Sequence, residues 1–123
     1  MGAGVSDWGA MAAISDLPTF ETALGGDAPW DGPGPHRFAE RSPISYAANR
    51  RTPLLIVHGQ ADVRVPIGQA TAFHRALRGQ DVPVELVTYP REPHGIAERR
   101  HQLDLLRRVR EFYARWLPLQ ARR

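Results

Sequence analysis

The sequence predicts an α/β fold in which parallel strands are covered by helices. Residues 54–58 form a continuous apolar run, the pattern of a strand buried on both faces of a parallel sheet. Residues 84–89 alternate in the manner of a second strand, and helical periodicity follows each strand, at 67–79 and at 97–117. Because strand, helix, strand and helix follow one another, we expect two parallel strands joined by a right-handed connection.

Each predicted helix has an apolar face and recognisable ends. Pro66 suits the start of the first helix and Gly79 its end. Its apolar face is formed by Ile67, Ala70, Phe73 and Leu77. The second helix is long and amphipathic, with a predicted stripe of Leu103, Leu106, Val109 or Phe112, Tyr113 and Trp116.

The first 51 residues are less regular, because glycine and proline interrupt them repeatedly. We expect a short helix at 18–24, with Asp16 as its N-cap and Gly25 and Gly26 as its stop. Residues 27–35 contain three prolines and two glycines, which predicts a surface loop. One helical turn is predicted at 36–40, before Ser42 and Pro43.

Composition excludes several classes of protein. An apolar content of 42% and a charged content of 24% are ordinary for a globular domain, and no apolar run is long enough to span a bilayer. All 16 basic residues are arginine, and the net charge of +3 is modest, so we interpret the arginines near the C-terminus as a solvated helix face that binds no nucleic acid. Without cysteine, no disulfide or thiolate metal site is expected. Asp7 and Asp16 interrupt any signal peptide, which predicts a cytoplasmic protein.

An acid and a histidine follow the two predicted strands in turn. Asp62 lies just after the first strand and His94 just after the second, 32 residues later. Because the carboxyl ends of parallel strands meet at one edge of a sheet, we expect these side chains to approach hydrogen-bond distance. A carboxylate that orients a histidine is the acid and base part of a nucleophilic triad.

The same residues have simpler interpretations. Asp62 alone resembles a turn or cap residue, and His94 alone a turn histidine. Glu92 is a weak competitor for the orienting acid, because it precedes His94 on the same turn. We interpret the remaining histidines as structural or surface residues. His58 is expected to be packed in the core, and His36, His74 and His101 are expected on the surface, because none has a partner at the sequence spacing of a metal site.

A nucleophile is missing from this arrangement. The sequence contains no Gly-x-Ser-x-Gly elbow, and its nearest approach, at residues 4–8, lacks the second glycine. A complete domain of this kind has roughly 200–250 residues, whereas this chain has 123. We therefore expect residues 1–123 to be the C-terminal portion of a larger catalytic domain, with the nucleophile half upstream.

Several short motifs together resemble the prolyl oligopeptidase family of serine peptidases, in particular its acylaminoacyl-peptidase-like and dipeptidyl-peptidase-like branches. The resemblance runs from about Ala3 to the C-terminus. It is carried by Gly-Val-Ser-Asp-Trp at 4–8, Glu-Arg-Ser-Pro-Ile-Ser-Tyr-Ala at 40–47, Thr-Pro-Leu-Leu-Ile-Val-His-Gly at 52–59 with Asp62, Arg64, Val65 and Pro66, Tyr89-Pro90, and His94-Gly95.

The resemblance implies a partial α/β-hydrolase fold and assigns roles to four residues. Asp62 matches the triad acid and His94 the triad histidine, Arg64 matches an often basic position beside the active site, and Trp8 matches a position that lines the side-chain pocket. Simpler interpretations are core packing for Trp8 and a surface ion pair for Arg64. The implied substrate is a short peptide or acyl-peptide, with no cofactor and no metal.

Two other functions fit the same residues. One is an esterase, since a strand followed by His-Gly-x-x-Asp also occurs in esterases of this fold. The other is a non-catalytic module that binds or dimerises through an exposed sheet edge. In either peptidase or esterase, this polypeptide alone is expected to be inactive.

Overall fold

The computed structural model describes residues 1–17, 28, 30–32 and 37–117. In chain order the elements are helix α1 (Trp8–Ile14), helix α2 (Phe38–Arg41), a 3₁₀ helix (Pro43–Asn49), strand β1 (Leu54–Gly59), helix α3 (Gly68–Arg78), strand β2 (Val84–Tyr89) and helix α4 (Arg99–Trp116). None of these helices is both long enough and apolar enough to cross a membrane.

The two strands pair in parallel, as predicted. Their register runs from Leu54 opposite Val84 to Gly59 opposite Tyr89, so both strands end at the same edge of the sheet. The predicted strand at 54–58 is confirmed and extends by one residue, and the predicted strand at 84–89 has the observed bounds. The parallel register is what brings the two following turns together.

Each face of the sheet is covered by one of the long helices. Ala70, Phe73 and Leu77 of α3 pack with Ile56 and Val82 in one buried cluster. On the other face, Leu105, Val109 and Phe112 of α4 pack against a second buried cluster of Leu55, Val57 and Tyr89. The sheet is thus the middle layer of three, which explains why β1 is apolar on both sides.

The predicted apolar stripe of α4 is right only in part. Val109 and Phe112 lie against the sheet as predicted, and Leu105 lies there too, but the predicted members Leu103, Leu106, Tyr113 and Trp116 are exposed. Neighbouring helical positions differ by about 100° around the axis, so an error of one residue selects a different face. The helix itself is confirmed, with ends at Arg99 and Trp116.

The N-terminus forms structure that the sequence did not predict. Val57 accepts a hydrogen bond from the N–H of Ala3 at 3.0 Å and donates one to the carbonyl of Met1 at 2.8 Å. Residues 1–3 therefore pair with β1 on the side away from β2, so the sheet edge that was predicted to be exposed is partly covered there. Helix α1 follows, with the Asp7 carboxylate accepting a capping bond from the N–H of Ala10 at 3.0 Å.

Several other predictions concern residues 18–36. The predicted helix at 18–24, His36 and most of the loop at 27–35 lie outside the described residues. The helical turn predicted at 36–40 is observed as α2, which ends before Ser42. The 3₁₀ helix then begins at Pro43, whose ring tolerates a first helical position.

Candidate active site

Asp62 is a buried carboxylate held by its own turn. It follows β1 and is 4% exposed. Its Oδ1 accepts the backbone N–H groups of Arg64 at 3.0 Å and Val65 at 2.9 Å. These two bonds fix the carboxylate plane and leave Oδ2 to face the turn after β2.

His94 lies in that facing turn. Its Nδ1 is 3.0 Å from Oδ2 of Asp62, within the predicted distance. The carboxylate can only accept, so Nδ1 donates, and in the neutral imidazole Nε2 then carries the lone pair. The imidazole is 53% exposed while the Asp62 side chain is fully buried. A histidine in this state can take a proton from a group that approaches its open side.

Close backbone contacts hold the two turns together. Gln60 donates its N–H to the carbonyl of Tyr89, and Ala61 donates to the carbonyl of Glu92, both at 2.9 Å. Gly59, at the end of β1, has no room for a side chain, because a Cβ there would lie 2.2 Å from the carbonyl oxygens of both Glu92 and Pro93. The glycine is required by this contact between the turns.

His58 is buried beside the same carboxylate. Its Nε2 lies 2.6 Å from the carbonyl of Val65 and 3.3 Å from Oδ2 of Asp62. Its Nδ1 has no hydrogen-bond partner in the described part of the chain. With the ring proton on Nε2, the histidine donates to Val65 and places a positive dipole against Asp62. The predicted packed position of His58 is confirmed, although it also contacts the acid.

Arg64 and Trp8, the two predicted substrate-binding residues, have structural contacts of their own. The guanidinium of Arg64 pairs with Asp16, with Nε at 2.6 Å from Oδ1 and Nη2 at 3.3 Å from Oδ2. The backbone N–H of Trp8 donates to Oγ of Ser42 at 2.9 Å at the start of α1. The surface ion pair, the simpler interpretation of Arg64, is present, and the substrate roles of both residues stay predictions.

Two serines of the N-terminal segment are occupied elsewhere. Ser6 is fully buried, and its Oγ donates to the backbone carbonyl of Gln69 at 2.8 Å. Ser15 donates its Oγ to the carbonyl of Arg64 at 2.8 Å. Neither hydroxyl is hydrogen-bonded to His94, so neither is activated as a nucleophile in this structure.

A second buried polar group, which the sequence did not predict, adjoins the His94 turn. Glu92 is 1% exposed, and its Oε1 lies 2.7 Å from Nδ1 of His101, which is 9% exposed. The surface position predicted for His101 is therefore wrong. The pKa of Glu92 is lowered, chiefly because the N–H of Ala97 donates to the ionised carboxylate. The sequence signal that could have revealed this pair is a carboxylate two residues before His94 together with a histidine on the helix that follows.

The ligand atoms of Glu92, Glu98 and His101 lie within 4.8 Å of one another, which is compatible in distance with a cation site. Both carboxylate oxygens of Glu92 already accept N–H groups. A cation would have to compete with those donors, so this group does not resemble an open metal site.

A groove leads away from His94 between the N-terminal residues and α4. It has a volume of about 540 Å³ and is mostly apolar. Its walls include residues 1–3, Leu55 and Val57 of β1, Phe112 and Tyr113 of α4, and His94. The exposed imidazole thus borders an apolar surface.

The prolyl oligopeptidase family profile matches residues 1–120. The chain belongs to the prolyl oligopeptidase family. It is 35% identical over 107 residues to an uncharacterized peptidase, YuxL, of Bacillus subtilis, which covers 85% of this chain and 16% of that protein. It is 44% identical over 59 residues to the acylamino-acid-releasing enzyme of Sus scrofa, which covers 48% of this chain and 8% of the enzyme.

Solved structures agree with the partial α/β-hydrolase fold. An acylaminoacyl peptidase of Pyrococcus horikoshii matches 99% of this chain with a TM-score of 0.81 and 26% identity, over 20% of its own length. A puromycin-hydrolyzing peptidase of Mycobacterium tuberculosis matches 98% of this chain with a TM-score of 0.83 and 27% identity, over 18% of its length. The chain therefore spans a fifth or less of these relatives.

Proposed function

We propose that this chain carries the acid and the general base of a serine peptidase active site. The observation that supports it is the 3.0 Å pairing of buried Asp62 with exposed His94. His94 would remove the proton of a nucleophile with Nε2 and later return it to the leaving amine. Asp62 would hold the Nδ1–H tautomer and stabilise the imidazolium that forms.

The serine nucleophile and the oxyanion donors, on this proposal, come from a segment outside these 123 residues. The sequence has no Gly-x-Ser-x-Gly elbow, and Ser6 and Ser15 use their hydroxyls in other hydrogen bonds. We accordingly expect the isolated chain to take no label from a serine-directed fluorophosphonate. Labelling that disappears in a His94→Ala variant would reveal a nucleophile within the chain and overturn this part of the proposal.

A short peptide or acyl-peptide is the proposed substrate. Two relatives are named for releasing or cleaving acylamino acids, and an acylaminoacyl peptidase that is 26% identical was solved in complex with Z-Gly-Gly-Phe-chloromethyl ketone. The apolar groove beside His94 offers a surface of matching chemistry. Trp8 and Arg64 are proposed to act in substrate binding, and a cytoplasmic location remains part of the proposal.

A graft tests these roles directly. The segment of the Pyrococcus horikoshii acylaminoacyl peptidase that this chain matches is replaced by the chain, and hydrolysis of an N-acylated amino-acid p-nitroanilide is followed. Removing a triad member costs several orders of magnitude in kcat, so His94→Ala should abolish turnover, while His74→Ala on α3 should retain it. A folded graft without activity, or an active graft that tolerates His94→Ala, would refute the proposal.

A further inference from the structure

The loop that carries His94 is closed at its base by the side chain of Glu92. Oε2 of Glu92 accepts the N–H of Ala97 at 2.8 Å, and Oε1 accepts the N–H of Glu98 at 2.9 Å. Oε1 also accepts a hydrogen bond from Nδ1 of His101 at 2.7 Å. Three donors thus converge on one carboxylate that is 1% exposed. His94 lies between the residues that this carboxylate joins.

The backbone of Glu92 ties the same loop to the turn of the acid. Its carbonyl oxygen accepts the N–H of Ala61, next to Asp62, at 2.9 Å. One residue therefore holds the His94 loop with its side chain and the Asp62 turn with its main chain.

The start of α4 depends on the same carboxylate. Glu98, the N-cap of α4, provides no side-chain capping bond. The ionised carboxylate of Glu92 takes over this part by accepting the N–H groups that precede the first turn, where the helix dipole favours negative charge. His101 adds a contact to β2, since its ring lies 5.0 Å from the ring of Tyr89. The base of the loop is therefore anchored to a helix and to a strand.

We infer that Glu92 is a positioning residue for His94, acting through the loop and not by contact with the imidazole. The inference rests on the proposed function for its catalytic meaning. The ring of His94 is half exposed, and within the described residues it is held by the 3.0 Å hydrogen bond to Asp62. The loop backbone therefore decides whether that bond forms, and Glu92 fixes the loop backbone.

The experiment compares Glu92→Gln with the matched control Glu111→Gln in the full chain. A glutamine at 92 presents an NH₂ group where the carboxylate accepted N–H donors, so at least one bond is lost. Glu111 pairs with Arg107 on the exposed face of α4, and neither residue belongs to the His94 loop. The two variants make the same chemical change, but only Glu92→Gln removes hydrogen bonds at the base of the His94 loop.

Two signals are read on each variant. Amide hydrogen exchange in residues 94–98 should accelerate roughly tenfold or more in Glu92→Gln, a factor equivalent to about 1.4 kcal/mol, and stay unchanged in Glu111→Gln. The far-downfield proton of the His94 Nδ1–H, assigned in ¹⁵N-histidine-labelled protein by its loss in Asp62→Asn, should disappear in Glu92→Gln and persist in the control. Exchange in β1 and β2 shows that the variant is folded.

The outcomes separate this inference from the proposed function. A downfield His94 proton that survives Glu92→Gln with unchanged loop exchange would overturn the inference alone. A wild-type chain without any Asp62-dependent His94 proton would instead remove the pairing on which the proposed function rests. If Glu92→Gln unfolds the whole chain, His101→Leu removes one donor to Glu92 and keeps both backbone bonds. It should then weaken the His94 proton signal and speed loop exchange, and no change in either would contradict the inference.

Discussion

Replacing Gly59 by alanine should separate the turn of Asp62 from the turn of His94. The added Cβ would lie 2.2 Å from the carbonyl oxygens of both Glu92 and Pro93, whereas ordinary contact begins near 3.4 Å. Two backbone carbonyls must therefore retreat by about 1.2 Å, which breaks the 2.9 Å bond from Ala61 to Glu92. Backbone atoms cannot rotate away as a flexible side chain can.

The expected cost is the sum of these two effects. Overpacking costs about 1–3 kcal/mol and the lost hydrogen bond about 1 kcal/mol, so Gly59→Ala should lower the free energy of unfolding by roughly 2–4 kcal/mol. That is a large share of the 5–15 kcal/mol typical of a domain. Urea titration measures it, as a fall in the midpoint at constant slope.

Gly95→Ala is the control, because it adds the same methyl group next to His94 with no atom within 4 Å. It should change stability by less than about 0.5 kcal/mol. Equal stability of the two alanine variants would refute the view that Gly59 sets the approach of the turns.

Three further predictions concern stability and association. The pKa values of Glu92 and Glu98 are lowered by folding, so in acid the unfolded chain binds more protons than the folded chain, and stability should fall as pH drops below about 4.5. The urea midpoint of Glu92→Gln should fall less steeply with decreasing pH than that of the unsubstituted chain. Parallel curves of midpoint against pH would contradict this. The hydroxyl of Tyr89 donates a hydrogen bond to Asp104 at 2.9 Å, and burial together with this bond raises the pKa of Tyr89 to about 12. Tyr89→Phe should lower the free energy of unfolding by about 1–2 kcal/mol and abolish the loss of stability that is expected as pH rises from 10 towards 12. Tyr113→Phe, at an exposed position, should do neither. The chain alone should self-associate through the outer edge of β2, which has no partner strand in the described part of the chain. Light scattering from a monodisperse, cooperatively melting monomer at concentrations on the order of tens of micromolar would contradict this.

Strong local patterns account for the parts of the fold that the sequence predicted. The apolar run at 54–58 and the alternation at 84–89 each specify a strand without help from distant residues. Once the strands are parallel, the placement of Asp62 and His94 follows from topology, since each lies just past a strand end. The acid and histidine pair was predictable for this reason.

The features that were missed depend on contacts between distant residues. Residues 1–3 are too few to show any periodicity, and their pairing with Val57 exists through tertiary contact. Helix α1 has seven residues and one buried member, Met11, so it has no apolar stripe to detect. His101 is buried, and its ring donates a hydrogen bond to Glu92, nine positions earlier. None of these contacts is encoded in a local pattern.

The most direct test of Asp62 and His94 as acid and base is the activity of an Asp62 variant of the graft with the Pyrococcus horikoshii peptidase. Asp62→Asn keeps the shape of the side chain but removes the charge, and an amide can present an N–H to Nδ1 and so favour the wrong histidine tautomer. The turnover number for the p-nitroanilide should fall by roughly 10⁴-fold, the scale of such a change in a serine peptidase triad. Asp81→Asn, an exposed aspartate in the turn before β2, should leave it within about twofold of the unsubstituted graft. An Asp62→Asn graft that turns over as fast as the Asp81→Asn graft would contradict the assignment of Asp62 and His94 as acid and base.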